Sequence, residues 1–412
     1  MINKFKNLSP SLKIYFMILA FSALGLGLSS SVVLSNYFKE AYNVTAYQRG
    51  LIEFPRELPG VITILIIGAL YFFSDIRIAL VAQALGIIGI TALGLSTPQF
   101  SVMLIFIFIN SLGMHMGMPL RDSIGLDIAG TENLGKTMGE YKGVFTGFSM
   151  VASMIVFIGF KFNYFSFTSK IKWIFLLSAF ILSIAFVLYI ILEKKVDHKI
   201  KSNKKIKFVF RKEYKYFYIL TTMFGVQKQI MIVYGPWILI EILGKRADTL
   251  AVLGIIGSFV GIFFIPKLGR WIDKYGIKRI LYFDALSFIL VFFIYGFLAT
   301  GFVTGKVQLM GIPVLIAYLI FIFDRMSNQM GMVRTLYLKS IIVEESDLTS
   351  TLSLGLSLDH IVSILFAYIG GLVWVNFGPQ YIFFTVGTMS FINLYVANKV
   401  EINKSNQIKI RA

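Results

Sequence analysis

The chain alternates long apolar runs with short polar ones, and that alternation decides what it can fold into. Crossing about 30 Å of hydrocarbon takes about 20 apolar residues in a helix. Runs of that length fall near 13–37, 50–73, 78–96, 100–121, 140–162, 172–193, 214–242, 249–267, 280–301, 311–335, 352–373 and 380–398. Charged residues make up only 15% of the chain, against about 25% in a soluble domain. The first run is too long for a signal-peptide core and lacks a small-residue cleavage site. The expectation is an all-α polytopic membrane protein of about twelve spans.

The charges orient the spans. Loops rich in Lys and Arg stay on the cytoplasmic side. With the N-terminus inside, roughly 27 of the 39 Lys and Arg fall on inside segments and roughly eight on outside ones. Shifting the count by one span reverses the asymmetry. Both termini are therefore expected on the cytoplasmic side of the cell membrane. The net charge of +18 does not indicate nucleic acid, because the cations lie in loops on one side and no soluble domain is left to hold a duplex. The absence of Cys excludes disulfides and thiolate chemistry. Three His are too few for a histidine metal cluster, and no cofactor is expected.

The stretch 194–215 carries ten Lys and Arg and reads as a basic cytoplasmic linker that also touches anionic lipid. It divides the chain into an N-terminal bundle (1–193), the linker itself (194–213) and a C-terminal bundle (214–412). The halves share weak similarity at one offset: Met116-Gly117-Met118 recurs as Met330-Gly331-Met332. Two six-helix pseudo-repeats imply a site between them near the midplane.

Between the runs 249–267 and 280–301 the chain reads Gly269-Arg270-Trp271-Ile272-Asp273-Lys274-Tyr275-Gly276-Ile277-Lys278-Arg279. Two glycines are expected to bracket a tight cationic turn. This stretch resembles the G-x-x-x-D-x-x-G-x-[KR]-[KR] loop of the major facilitator superfamily, matched at Gly269, Asp273, Gly276, Lys278 and Arg279, with Arg270 inside it. The resemblance implies two six-helix bundles, alternating access, and a gating loop whose carboxylate, here Asp273, latches the halves on the cytoplasmic side. The counterpart after the second span, around Asp75, has Tyr71 in place of the first glycine and a single cation, Arg77. Gly139, Gly143 and Gly147 make a small-residue face suited to close helix packing. Asn110 stands where drug–proton antiporters often carry arginine.

Ionisable residues inside spans are costly, so each marks a partner or a wet cavity. Glu53, Arg56 and Glu57 share a helix face at i, i+3, i+4 spacing, among Pro55 and Pro59. They read equally as a self-neutralising packing device or as part of the solute path. Lys228, between Gln227 and Gln229, sits near mid-membrane and needs a carboxylate. Asp324 is its expected partner, which leaves Arg325 for solute. Asp359-His360 suggests proton coupling, and His115 is a weaker candidate. The reading is a secondary transporter, expected as a monomer, that moves a small polar, anionic or zwitterionic solute with protons or another coupling ion. A lipid or amphiphile flippase, a drug exporter of the same fold and a non-transporting sensor are its rivals. No nucleophile–base pair or clustered metal ligands point to an enzyme.

Overall fold

The computed structural model describes residues 9–70, 72–129, 134–196, 210–344 and 347–400. Most of the expected linker 194–213 lies outside them. Every regular element among the described residues is helical. Hydrocarbon offers backbone groups no water, so each span must satisfy its own N–H and C=O groups. In chain order the helices are α1 (Pro10–Leu28, resumed as Ser31–Tyr42), α2 (Ala46–Ala69), α3 (Asp75–Leu95), α4 (Phe100–Ala129), α5 (Leu134–Lys161), α6 (Trp173–Glu193) and α7 (Lys215–Trp237). They continue with α8 (Ala247–Tyr275), α9 (Ile277–Val303), α10 (Ile312–Gln329, resumed as Met332–Ile341), α11 (Asp347–Asn376) and α12 (Pro379–Met389, resumed as Phe391–Lys399).

These agree with the twelve apolar runs. By length and composition alone, eight of them are long and apolar enough to cross a membrane. The four that are not are α2, α7 and α10, which carry charges in mid-helix, and α12, which is broken at Ser390. Local chemistry sets the ends. Ser9 accepts from the Leu12 amide ahead of Pro10, and Ser74 accepts from the Arg77 amide to start α3, both ordinary N-cap arrangements. Pro236 removes a donor near the end of α7, and the next residues, Ile238–Ile242, continue as a π-turn.

The expected turn at 269–279 is smaller than the motif suggests. Helix α8 runs through Gly269, Arg270 and Asp273 to Tyr275, and only Gly276, at φ 82°, makes the turn into α9. A glycine needs no turn to sit in a helix, and the flanking helix formers carry α8 on. The Met-Gly-Met repeat falls on α4 and on α10, with a different local backbone in each. Gly117 lies inside uninterrupted α4, whereas Gly331 sits at the break of α10.

The described residues form two compact units: Met1–Asn43, Pro55–Lys204 and Ala247–Val252 in the first, and Val44–Phe54, Lys205–Arg246 and Leu253–Ala412 in the second. In the first, α3 packs on α4 and α6, and α1 on α5 and α6, around Tyr15, Ile18, Met116, Ile124 and Tyr189. Asn110 ties two of these helices, donating to the Gly86 carbonyl at 2.9 Å. Gly139, Gly143 and Gly147 do not make the expected close packing, since nothing lies within 4 Å of a Cβ placed on any of them.

In the second unit, α7 packs on α11 and α9 on α12. The first turns of α2 belong to this unit too. A Cβ on Gly50 would collide with the Ala367 carbonyl and lie 2.6 Å from the Tyr234 hydroxyl, and one on Gly371 would come within 3.0 Å of the Ala46 carbonyl. Gly50→Ala is therefore expected to destabilise the purified protein by about 1–3 kcal/mol through overpacking. Gly68→Ala, at a site where nothing lies within 4 Å, should be neutral or slightly stabilising. Thermal unfolding of the two variants in detergent checks the contrast.

Candidate functional site

Three consecutive residues of α7 hold three different helices. Successive residues of a helix point about 100° apart, so Gln227, Lys228 and Gln229 fan outward. Gln227 donates to Ser390 Oγ at 2.7 Å and accepts from Asn393 at 3.2 Å, both on α12. Lys228 Nζ pairs with Asp359 Oδ2 on α11. Gln229 donates to Glu53 Oε2 on α2 at 2.7 Å.

The Lys228–Asp359 pair corrects the expected pairing of Lys228 with Asp324. The reason is helix proximity. A Cβ on Gly225, one turn before Lys228, would lie 2.7 Å from both Asp359 Oδ1 and Val362 Cγ2. The missing side chain lets α7 and α11 approach closely enough for the ammonium to reach the carboxylate. Lys228 is 22% exposed and Asp359 8%. Asp359 Oδ1 is buried and has no hydrogen-bond partner. His360 is also buried.

Asp324 is held within its own helix, where Asn328 donates to its Oδ2 and to its backbone carbonyl, each at 2.9 Å. Arg325 runs along Gly257 of α8, with its Cδ 2.8 Å from where a Cβ would be. Its guanidinium lies 5.3 Å from the centre of the Phe321 ring.

The expected triad on α2 resolves into separate pairs. Glu53 pairs with Arg49, one turn earlier, and both side chains are fully buried. Arg56 pairs with Glu57 at 3.1 Å and donates to Ser31. His115 Nδ1 lies 3.1 Å from Ser111 Oγ and 2.9 Å from the Ser111 carbonyl. A Glu57 carboxylate oxygen and a ring nitrogen of His115 come within 4.8 Å.

At the motif, Lys278 donates to the carbonyls of Asn398 and Val400 at 2.9 and 3.0 Å, tying the start of α9 to the end of α12. Gly269 faces open space, while Arg270, Asp273 and Arg279 are exposed. Around the counterpart loop, Ser123 of α4 donates to Asp75, and Arg77 meets Glu193 at 2.6 Å.

Two polar clusters escape the sequence reading. Arg334 on α10 donates to Asp284 on α9 at 2.6 Å, with side chains 4% and 1% exposed. Its guanidinium lies 3.8 Å from the centre of the Phe224 ring. Asp284 sits singly in an apolar run and Arg334 at the end of one, so each reads as an interfacial residue until the fold brings them together. The second cluster precedes α7. Arg211 Nε meets Asp347 Oδ2 at 2.6 Å and another of its nitrogens meets Glu344, and Tyr214 donates to the same Asp347 oxygen at 2.8 Å. Hydrogen bonds donated to Glu344 and then to Asp347 hold the Arg211 guanidinium more firmly protonated than usual.

The family model described as Major Facilitator Superfamily matches residues 15–342. No curated protein sequence matches the chain. Among solved structures, a point mutant of the nucleoside transporter NupG aligns with a TM-score of 0.76 at 15% identity, over 94% of this chain and 99% of that one. An auto-inhibited POT family peptide transporter aligns with a TM-score of 0.75 at 10% identity, over 96% and 98%. A D-xylose-proton symporter aligns with a TM-score of 0.69 at 15% identity, over 96% and 98%. At these identities the likeness is one of fold.

Breaking the buried Asp284–Arg334 pair leaves an uncompensated charge, which costs about 3–5 kcal/mol. Arg334→Ala should therefore lower the thermal midpoint sharply, and Asp284→Asn/Arg334→Gln should recover most of the loss.

Proposed function

The chain belongs to the Major Facilitator Superfamily, and on that premise we propose a proton-coupled carrier of a small polar solute bearing an anionic or zwitterionic group. The proton site is Asp359, and Lys228 is the group released to the solute. The observation that carries this reading is the Lys228–Asp359 pair, a flexible lysine matched to a buried carboxylate whose second oxygen makes no hydrogen bond.

The chemistry is simple. With both groups ionised, each satisfies the other and the site can cross the low-dielectric interior without net charge. A proton arriving from water neutralises Asp359 and leaves the Lys228 ammonium without its partner. An anionic group on the solute then takes that partner's place. Release of the proton to the other side restores the ion pair and expels the solute. Alternating access of two bundles, taken as 1–193 and 214–412, supplies the change of side. One of the similar structures is a D-xylose-proton symporter, which makes proton coupling a natural mode for this fold. We place the protein in the cell membrane as a monomer with both termini inside. Asp273, with Gly269, Arg270, Gly276, Lys278 and Arg279, forms the gating element at the inner end. Arg56, Glu57, His115, Asp324 and Arg325 line or support the solute path.

A stabilisation screen of the purified protein with carboxylates, amino acids, dipeptides and nucleosides at several pH values supplies the solute. In proteoliposomes, a gradient of about one pH unit should then sustain up to about tenfold accumulation. Asp359→Asn is expected to lose that accumulation while keeping solute exchange across the membrane. Undiminished proton-driven accumulation by Asp359→Asn would remove Asp359 from the coupling step.

A further inference from the structure

The Asp284–Arg334 pair does not stand apart from Lys228–Asp359. Both are joined by one ring. Phe224, on α7 one turn before Lys228, lies 3.8 Å from the Arg334 guanidinium and 5.9 Å from the Lys228 ammonium, measured to its centre. Unused hydrogen-bonding capacity gathers in the same place: Arg334 Nη2, Asp284 Oδ1 and Asp359 Oδ1 are buried and have no partner. Four helices thus contribute one charge each, Lys228 from α7, Asp284 from α9, Arg334 from α10 and Asp359 from α11. Toward the middle of these helices the neighbouring charges come in opposite-sign pairs, and the remaining ones, Lys215, Lys278, Arg279, Lys339 and Asp347, lie near helix ends. Gln227 and Gln229 are neutral, Arg49 and Glu53, reached through Gln229, pair with each other on α2, and Asp324 is followed by Arg325 on α10. Besides Glu53 and Asp324, His360, next to Asp359, is a further titratable group here.

We propose that these four charges work as a single electroneutral unit that takes up one proton and one monoanion together, so that the solute carries one ionised carboxylate and no compensating cation. This rests on Asp359 being the proton site, and it narrows the solute from anionic or zwitterionic to anionic. Two cations and two carboxylates sum to zero. A proton alone leaves the unit at +1, and an anion alone leaves it at −1. At an effective dielectric near 20, two unit charges about 4 Å apart interact by about 4 kcal/mol, so either singly loaded form is disfavoured in a buried site. The empty form and the form holding both ligands are neutral. Proton and anion therefore favour each other's binding, and by linkage each does so equally. A zwitterion brings its own cation and gains nothing from the proton. Lys228 alone would give a similar exchange, but the four-charge unit makes a distinct demand. Removing the charge of Asp284, which is not the proton site of this scheme, must have the same effect on anion binding as removing that of Asp359.

The test uses purified full-length protein, a series of monocarboxylates (acetate, lactate, nicotinate and benzoate) and their amides, with thermal stabilisation as the readout. At least one carboxylate should stabilise the wild type where its amide does not. Its apparent affinity should rise about tenfold per unit fall in pH while Asp359 is ionised. In Asp359→Asn and in Asp284→Asn alike, carboxylate binding should become independent of pH. In Asp284→Asn/Arg334→Gln, which restores zero net charge, the pH dependence should return. His360→Gln should keep it. Wild-type-like pH dependence in Asp284→Asn, or no carboxylate preferred to its amide at any pH, overturns the four-charge unit. Persistent pH dependence in Asp359→Asn instead overturns the assignment of the proton site itself. A second measurement needs no variant: uptake of the stabilising carboxylate by wild-type proteoliposomes should be driven by a pH gradient and unaffected by a potassium–valinomycin potential. Uptake that follows the potential sinks the proposal even if Asp284→Asn does not fold.

Discussion

An ion in hydrocarbon must be matched, and the rest of this structure follows from how the matching is done. Leaving one partner of a buried pair alone costs several kcal/mol, a large fraction of the stability of any domain. The second unit therefore uses its polar side chains to link helices. Arg49 and Glu53 close on each other within α2, Lys228 reaches α11, and Arg334 reaches α9. Each link also fixes the neighbours around it. Gly225 is bare because the α7–α11 pair needs contact distance, and Gly50 is bare because α2 crosses the Ala367 carbonyl.

Helix α7 concentrates this logic. Its three polar residues in a row are unfavourable in a lipid-facing helix, and they become favourable only when three partners surround it. Gln227 meets α12 where that helix breaks at Ser390. There the Val386 carbonyl accepts both from the Ser390 amide at 2.9 Å and from Ser390 Oγ at 2.8 Å. The polar centre of the unit and its interrupted helix are thus one feature.

Much of this is legible in the sequence. Apolar length gives twelve helices because hydrocarbon thickness sets a hard minimum, and membership of the superfamily is readable from one loop. The charged residues themselves are also visible, since Glu53, Lys228 and Asp359 stand out in apolar surroundings. Their pairing is not. Lys228 and Asp324 look matched by depth, but depth along a helix says nothing of which face meets which neighbour. The deciding signal is Gly225, whose missing Cβ brings α11 rather than α10 within reach. Asp284 and Arg334 escape notice for the opposite reason: each alone resembles an interfacial residue. The motif glycine at 269 misleads because glycine is permitted in a helix as well as in a turn, and only Gly276 has the positive φ that demands it.

The buried pairs also differ in what they can do. Arg49–Glu53 is wholly enclosed, Arg334–Asp284 nearly so, and Lys228–Asp359 retains a fifth of the lysine surface. Arginine presents a planar fork that is always charged, whereas lysine carries a compact ammonium on a flexible stem. A fork paired with a carboxylate and set over Phe224 is held from two sides. A lysine with one carboxylate oxygen and some surface to spare can change partner readily. The cluster therefore pairs a fixed element with a movable one. In the proposed cycle the fixed pair sets the electrostatic reference of the site, and the movable pair registers the arrival of a proton or an anion against that reference.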